Sequence, residues 1–154
     1  AWQLHVQKYT GDRLTIVGDG PESGKLSTIP AEGAIFAGAV DYDMIHQYYA
    51  QADVFVIPTL EDNWSLVVPE AMACGLPVAC SCYNGCHPEL VKEGVNGTVF
   101  NPLIQESIER ALAYFHLVDL KEMGEKSREI VNYYSPEKCA ERAYRGILKS
   151  LEEV

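Results

Sequence analysis

The stretch from residue 54 to 78, VFVIPTLEDNWSLVVPEAMACGLPV, carries the pattern of a strand, a helix and a second strand in succession. Residues 54–57 form a continuous apolar run of the kind that is buried on both faces of a parallel sheet. Residues 66–74 read as a helix that stops at Gly75-Leu-Pro77, because glycine and proline end helices. The next strand starts at Val78. This unit predicts a parallel sheet with helical connections.

The same alternation continues on both sides of this stretch. Further strands are predicted at residues 14–17, 34–37 and 97–100, with helices at 43–51 and 89–92 and from residue 104 onward. Asp43 is expected to cap one helix, and Ser135 followed by Pro136 to open the last one. We therefore predict one α/β domain over residues 1–154. It comprises a Rossmann-like three-layer parallel sheet with helices on both faces (residues 1–102) and a helical tail (103–154).

The chain begins in the middle of a helical pattern, with apolar residues at Trp2, Val6 and Tyr9. A helix in a parallel α/β sheet normally follows a strand. We therefore expect a first strand, and further protein, to precede Ala1.

Composition restricts the classes of function. The chain has 154 residues, 47% of them hydrophobic, and a net charge of −10, which argues against nucleic acid as a partner. No apolar run approaches the roughly 20 residues that span a bilayer. An odd number of cysteines, five, without a secretion signal fits a reducing cytoplasm. An anionic ligand would have to be attracted by oriented amides or by basic residues outside this chain.

Asp62 and Glu70 are the leading candidate residues. They stand on either side of a predicted helix start, where free backbone N–H groups can bind phosphate. A carboxylate repels phosphate but can accept hydrogen bonds from sugar hydroxyls, so the pattern suggests a nucleotide-sugar. The apolar neighbours of Glu70 imply burial, and a buried carboxylate needs partners, which ligand hydroxyls could supply. The alternative is that Asp62 caps a turn and Glu70 is an exposed helix residue.

Two other motifs have simpler interpretations. The loop from Gly18 to Lys25 fits neither the P-loop nor the dinucleotide glycine pattern, and is interpreted as a strand-ending turn near a ligand. Asp41-Tyr-Asp43 has the D-x-D form of a metal-diphosphate site, but aspartates at this spacing are also common before helices, and capping is favoured.

The cysteines and histidines also admit two interpretations. One interpretation is a zinc site formed by Cys80, Cys82, Cys86 and His87. The spacing lacks the second pair of closely spaced ligands that zinc sites usually have, so small apolar cysteines at a strand end are favoured. The other histidines, His5, His46 and His116, have no evident Ser, Cys or Asp partner in the sequence.

Three blocks of sequence resemble a known family. They run from residue 49 to 58 (YAQADVFVIP), from 70 to 78 (EAMACGLPV) and from 88 to 97 (PELVKEGVNG). Together they are similar to the C-terminal, donor-binding domain of retaining glycosyltransferases of the GT-B fold, in the glycosyltransferase group 1 family. The family's Glu-x7-Glu motif falls on Asp62 and Glu70, and its Phe-Gly pair becomes Trp64-Ser65.

The resemblance implies a role for each position. Glu70 would accept the ribose hydroxyls of the donor. Asp62 would contact the transferred sugar, together with backbone groups at Asn63, Trp64 and Ser65. The diphosphate would meet amides at Ser65, Leu66 and Val67, and the base would lie near Ala39 and Val40, with Gly18 close to the donor. Aspartate in place of glutamate gives a shorter carboxylate, which reaches less far toward the sugar.

The resemblance also implies what lies outside the chain. The family's basic pair, Arg and Lys, would precede Ala1, and a glycan or lipid-linked acceptor would bind an N-terminal domain, so this fragment alone would be inactive. No cofactor and no metal are expected. The full-length protein is one that could associate peripherally with a membrane. The alternatives are a non-catalytic or repurposed domain, or a GT-B epimerase or phosphorylase.

Overall fold

The computed structural model describes residues 1–152. Its elements, in chain order, are α1 (Trp2–Lys8), β1 (Leu14–Val17), α2 (Ser23–Leu26), β2 (Ala34–Gly38), a 3₁₀ turn (Tyr42–Met44), α3 (Ile45–Gln51), β3 (Phe55–Ile57), α4 (Val67–Ala73), β4 (Val78–Ser81), α5 (His87–Leu90), β5 (Gly97–Phe100), α6 (Gln105–Tyr114), α7 (Leu120–Asn132) and α8 (Pro136–Glu152).

All strand pairs are parallel, which confirms the predicted fold class. The strands form two sheets, β1–β2 and β3–β4–β5, with β4 in the centre of the larger one. Within residues 1–152, β1 does not pair with β3, so both strands have an open edge. The strand expected before α1 stays a prediction.

Alternating side chains of the larger sheet point to opposite faces and produce two cores. Val78 and Cys80 pack on one face, in a cluster with Val68, Met72 and residues of α5. Ala79 packs on the other face, in a cluster that includes Ala111 and Phe115 of the α6 region. The period of two along a strand and the burial of both faces thus give the three-layer arrangement predicted from sequence.

The apolar run at residues 54–57 is less buried than predicted. The β3 residues are only half-buried, whereas every residue of β4 is buried. The reason is position in the sheet, because β4 has a strand on each side and β3 lies at an edge. An apolar run shows that a strand can be buried, but it does not show where the strand lies in the sheet.

Several helix boundaries differ from the prediction. Asp43 lies within the 3₁₀ turn, and neither it nor Asp41 caps a helix with its side chain, so the predicted capping is wrong. The helix predicted at 89–92 is α5, which begins earlier because the side chain of Asn84 accepts the N–H of Cys86 and starts the turn there. The start of α8 at Pro136 is confirmed, with the hydroxyl of Ser135 accepting the Lys138 N–H.

In the described part of the chain, no helix combines the length and the apolar character needed to cross a bilayer.

Candidate functional site

Asp62 and Glu70 lie on either side of the start of α4. Asp62 is in the loop that follows β3, and Glu70 is in the first turn of the helix. Asp62 also forms an isolated bridge with Asn84, which follows β4. The carboxyl ends of two neighbouring parallel strands therefore meet at this site, which is where open α/β sheets bind ligands.

The carboxylate of Asp62 is held by its own loop. It accepts the N–H of Trp64 at 3.1 Å with one oxygen and the hydroxyl of Ser65 with the other. The Ser65 hydroxyl oxygen in turn accepts the Nδ2 group of the fully buried Asn84 at 2.8 Å. Asp62 thus caps a turn, as one of the two sequence interpretations proposed, and each of its oxygens keeps a lone pair for a further donor.

Close backbone packing fixes the same loop from the other side. The N–H of Gly85 donates to the backbone oxygen of Asp62 at 2.8 Å. A Cβ atom at Gly85 would lie 2.1 Å from the backbone oxygen of Asn63, so only glycine fits there. The loop that carries Asp62 and the loop after β4 therefore form one unit.

Glu70 is held by two tyrosines. Tyr42 donates its hydroxyl to Oε1 at 3.2 Å, and Tyr49 donates to Oε2 at 3.3 Å. Glu70 is half-buried rather than fully buried, and its partners within the described chain are tyrosines, so a ligand is not needed to satisfy it. Each carboxylate oxygen accepts one of these bonds and can accept another.

The tyrosine hydroxyls stay protonated and act as donors. The hydrogen bond to Glu70 and its negative charge raise the pKa of Tyr42. Burial, followed by the charge of Glu70, raises the pKa of Tyr49. The sequence did not indicate either tyrosine as a partner of Glu70, because Tyr42 and Tyr49 lie 28 and 21 residues away from it along the chain.

Two backbone donors remain at the start of α4. Within residues 1–152, the N–H groups of Leu66 and Val67 make no hydrogen bond, and both residues are exposed. The N–H of Ser65 is different, because it donates to the sulfur of Cys86. Of the three amides expected to meet a diphosphate, the structure therefore leaves two available.

The remaining predicted residues adjoin the same edge. The N–H of Gly18 donates to Gly38 at 2.8 Å, which places the ends of β1 and β2 side by side. Ala39 and Val40 follow directly and lead to Tyr42, which reaches Glu70. Asp19 is turned onto its own loop, where it accepts the N–H of Gly20 and the Ser23 hydroxyl, as expected of a strand-ending turn.

Trp64 bridges to the next element. Its indole N–H donates to the carboxylate of Glu89 at 3.1 Å, and its ring lies 6.4 Å from that of Tyr134. Sequence reasoning did not foresee either partner. These contacts connect the loop at Asp62 to α5 and to the segment before α8.

The cysteine cluster does not form a metal centre. Among residues 1–152, the only group of three metal-ligating side chains is His5, Asp12 and His116. Cys80 and Cys86 are buried against each other, and their hydrogen bond, with burial, raises the pKa of Cys80. The favoured interpretation, small apolar cysteines, describes them.

The expectation that His5 and His116 lack a partner is wrong, because both bond to Asp12.

One polar atom close to the site lacks a partner. In the described chain, the hydroxyl of Thr59 is the only buried side-chain oxygen or nitrogen without a hydrogen bond. Thr59 lies between β3 and Asp62, at the same carboxyl edge. No sequence signal distinguished it from an ordinary loop threonine.

The site is open rather than enclosed. Two depressions of about 270 and 250 Å³ lie beside α6, and neither carboxylate lines them. Asp62, Glu70 and the free amides therefore line an exposed edge, which can form one wall of a cleft.

Comparison with known proteins gives a family match. The sequence profile described as "Glycosyl transferases group 1" matches residues 1–116. The sulfoquinovosyl transferase SQD2 of Arabidopsis thaliana is 33% identical over 135 residues, which cover 84% of this chain and 26% of that protein. A GDP-mannose-dependent alpha-mannosyltransferase of Corynebacterium glutamicum is 36% identical over 89 residues, covering 58% of this chain and 21% of that protein.

Solved structures share the fold. The pneumococcal O-GlcNAc transferase GtfA, in complex with UDP and GlcNAc, superposes with a TM-score of 0.79 at 18% identity, covering 97% of this chain and 32% of that one. Anabaena HepE, in complex with UDP, gives 0.67 at 20% identity over 92% of this chain and 41% of that one. The matched region thus covers between about a fifth and two fifths of the length of these proteins.

Proposed function

This chain belongs to the group 1 glycosyltransferase family, and we propose that it is the donor-binding part of a retaining glycosyltransferase that uses a nucleotide-diphosphate sugar. The acceptor, a glycan or a lipid-linked sugar, would bind a further domain. The observation that carries the proposal is the arrangement at Glu70, which is oriented by two tyrosines and still has free lone pairs.

The carboxylate of Glu70 is placed to accept hydrogen bonds from two neighbouring hydroxyls of a ligand. Each of its oxygens accepts one tyrosine hydroxyl and keeps capacity for one more bond. A ribose offers two adjacent hydroxyls, which match two oxygens of a fixed carboxylate. Because the tyrosines already orient the carboxylate, little rotamer entropy would be lost on binding.

The free amides of Leu66 and Val67 supply part of a diphosphate site. Val68, which comes next, is fully buried, and Pro69 after it has no N–H, so the exposed donors at this helix start are those of Leu66 and Val67. Two amides do not balance the charge of a diphosphate in a chain of net charge −10. The proposal therefore places basic residues outside this chain, where they would stabilise the leaving diphosphate, and catalysis would rest on positioning and electrostatics.

Asp62 would contact the transferred sugar. Its two oxygens each keep a lone pair, and its position is fixed by Ser65 and Asn84. Because aspartate is one methylene shorter than glutamate, the sugar would have to lie closer to this loop. No protein base and no metal are required for this role.

The test is nucleotide binding to the 154-residue chain by titration calorimetry. UDP, GDP and ADP would each be compared with the 2′-deoxyribose form, for wild type, Glu70→Gln and the control Glu61→Gln. Losing hydrogen bonds to a charged carboxylate costs about 1.5–3 kcal/mol, so Glu70→Gln should weaken ribonucleotide binding about 10- to 100-fold. The affinity for the deoxyribonucleotide should fall much less. Glu61→Gln should change the affinity for neither nucleotide.

Three results would reject this function. Equal losses of affinity for ribose and deoxyribose nucleotides would show that Glu70 does not bind the 2′-hydroxyl, as the proposal requires. Unchanged turnover of the full-length protein after Glu70→Gln or Asp62→Asn, with a verified donor, would favour a non-catalytic domain. Inversion at a sugar carbon without transfer to an acceptor would favour the epimerase alternative.

A further inference from the structure

Three potential metal ligands converge at a point away from the proposed donor site. They are His5 in α1, Asp12 in the turn before β1, and His116 just after α6. The Nε2 atoms of His5 and His116 lie 2.7 Å and 2.8 Å from the same Oδ2 atom of Asp12. All three ligand atoms lie within 4.8 Å of one another.

The ligands are held in place by packing. The ring of Tyr9 stacks on His116 with centroids 3.9 Å apart and planes 7° from parallel. His5 is buried, and its ring also contacts Tyr9 and Trp2. Rotation of either imidazole would break these contacts, so the three ligand atoms are preorganised.

The cluster ties together parts of the chain that are far apart in sequence. His116 and Asp12 are separated by 104 positions, and their bond joins the segment before β1 to the end of α6. It shares no residue and no hydrogen bond with the network at Glu70. Any effect on donor binding would therefore have to act through the fold.

The two short distances to Asp12 are those of hydrogen bonds. An ionised aspartate only accepts, so both histidines must donate Nε2–H to one oxygen. Burial tends to raise the pKa of Asp12, but the hydrogen bonds and charge interactions with the two histidines outweigh burial, and the pKa of Asp12 is lowered. Two imidazoles aimed at one carboxylate oxygen are also the donor set of a zinc site.

We propose that His5, Asp12 and His116 bind a divalent transition-metal ion, of the zinc class, in a structural role. Zinc binds three protein ligands and a water at about 2.0–2.1 Å, which puts tetrahedral ligands about 3.3 Å apart. The present distances of 2.7 and 2.8 Å would need to open by about 0.5 Å. Each neutral imidazole would keep one proton, which moves from Nε2 to Nδ1 as the metal binds Nε2.

The exposure of the cluster gives an ion access. His5 has a side chain only 3% exposed, whereas the side chains of Asp12 and His116 are 31% and 35% exposed. The metal would thus have one buried ligand, two ligands at the surface, and an open position for water. A structural zinc usually has four protein ligands, so moderate rather than extreme affinity is expected.

The test uses the chelator-treated 154-residue chain and two probes, Co²⁺ followed by absorption and Zn²⁺ followed by calorimetry and thermal unfolding. We expect one ion per chain, visible absorption of tetrahedral cobalt, and a melting temperature that rises with zinc. His116→Gln and Asp12→Asn should each weaken binding by more than about 100-fold, since even residues behind a ligand contribute 10- to 100-fold. His46→Gln, at an exposed histidine on α3, is the matched control and should bind as wild type does.

Three results would overturn the proposal. Absence of saturable binding to the wild type would leave a hydrogen-bonded network only. A thiolate-to-cobalt charge-transfer band would assign the ion to cysteines. Equal loss in His46→Gln and His116→Gln would indicate unspecific binding. Circular dichroism of each variant checks the fold, and His116→Gln, at a partly exposed side chain, keeps the test valid if Asp12→Asn does not fold.

Discussion

Replacing Asn84 should damage both the stability of the domain and the position of Asp62. Asn84 is fully buried, donates to the Ser65 hydroxyl at 2.8 Å and accepts the Cys86 N–H at 3.2 Å. Asn84→Ala would leave the Cys86 N–H unsatisfied, which costs about 1–3 kcal/mol, and would create a cavity that costs about 1 kcal/mol more. We expect the free energy of unfolding to fall by about 2–4 kcal/mol.

The loss is measurable because whole domains are stable by only about 5–15 kcal/mol. Urea unfolding followed by circular dichroism should show a lower midpoint with an unchanged slope. Thermal unfolding should shift down by about 5–15 °C, since 1 kcal/mol corresponds to about 2–4 °C in a domain of this size. The matched control is Asn132→Ala, an exposed asparagine at the end of α7, which should change stability by less than about 0.5 kcal/mol.

The substitution Asn84→Asp separates the effect on the position of Asp62 from the effect on the stability of the domain. It keeps the acceptor for Cys86 but replaces the donor to Ser65 by an oxygen, and it adds a negative charge near Asp62. For Asn84→Asp, the part of the binding free energy that depends on the sugar should therefore decrease by more than the free energy of unfolding does. A stability loss for Asn84→Ala of less than 0.5 kcal/mol, equal to the control, would refute the role assigned to this network.

Four further substitutions test individual contacts. Gly85→Ala would place a methyl group 2.1 Å from a backbone oxygen, so urea unfolding should show a loss of about 1–3 kcal/mol. Thr59→Val removes a buried hydroxyl without a partner and should raise stability by about 1 kcal/mol, unless that hydroxyl serves a ligand, in which case nucleotide affinity falls. Tyr49→Phe should weaken nucleotide binding several-fold by freeing Glu70, whereas Tyr42→Phe, at a side chain that is 76% exposed, should have a smaller effect.

Each of these changes has a control or a contrary outcome. Gly11→Ala has no atom within 4 Å of the added methyl group and should be tolerated, so equal losses at Gly11 and Gly85 would contradict the packing argument. Thr98→Val removes a hydroxyl bonded to Glu93 at 2.7 Å and should lower stability, opposite to Thr59→Val. If Tyr42→Phe weakened nucleotide binding more than Tyr49→Phe, the conclusion that Tyr49 contributes more to orienting Glu70 would be wrong.

The order of elements could be predicted from sequence because its signals are local. The strand at 97–100 is found with the predicted bounds, and the helix predicted at 66–74 is Val67–Ala73. Apolar runs, a glycine at the helix end and a proline beyond it lie within a few residues of the elements they define. What could not be predicted is the position of a strand in its sheet, since pairing depends on distant residues. The half-buried β3 is the example.

The two carboxylates illustrate the same limit at the candidate site. The bonds of Asp62 to Trp64 and Ser65 are local, and one of the sequence interpretations anticipated them. The bonds of Glu70 come from tyrosines 28 and 21 residues away, and no periodicity in the sequence indicates them. A carboxylate fixed by its own loop keeps its place when distant elements move, whereas one fixed by tertiary contacts depends on them. Under the proposed function, donor affinity that depends on Glu70 would therefore respond to the packing of α3 and of the 3₁₀ turn, while the proposed sugar contact of Asp62 would follow the loop after β4.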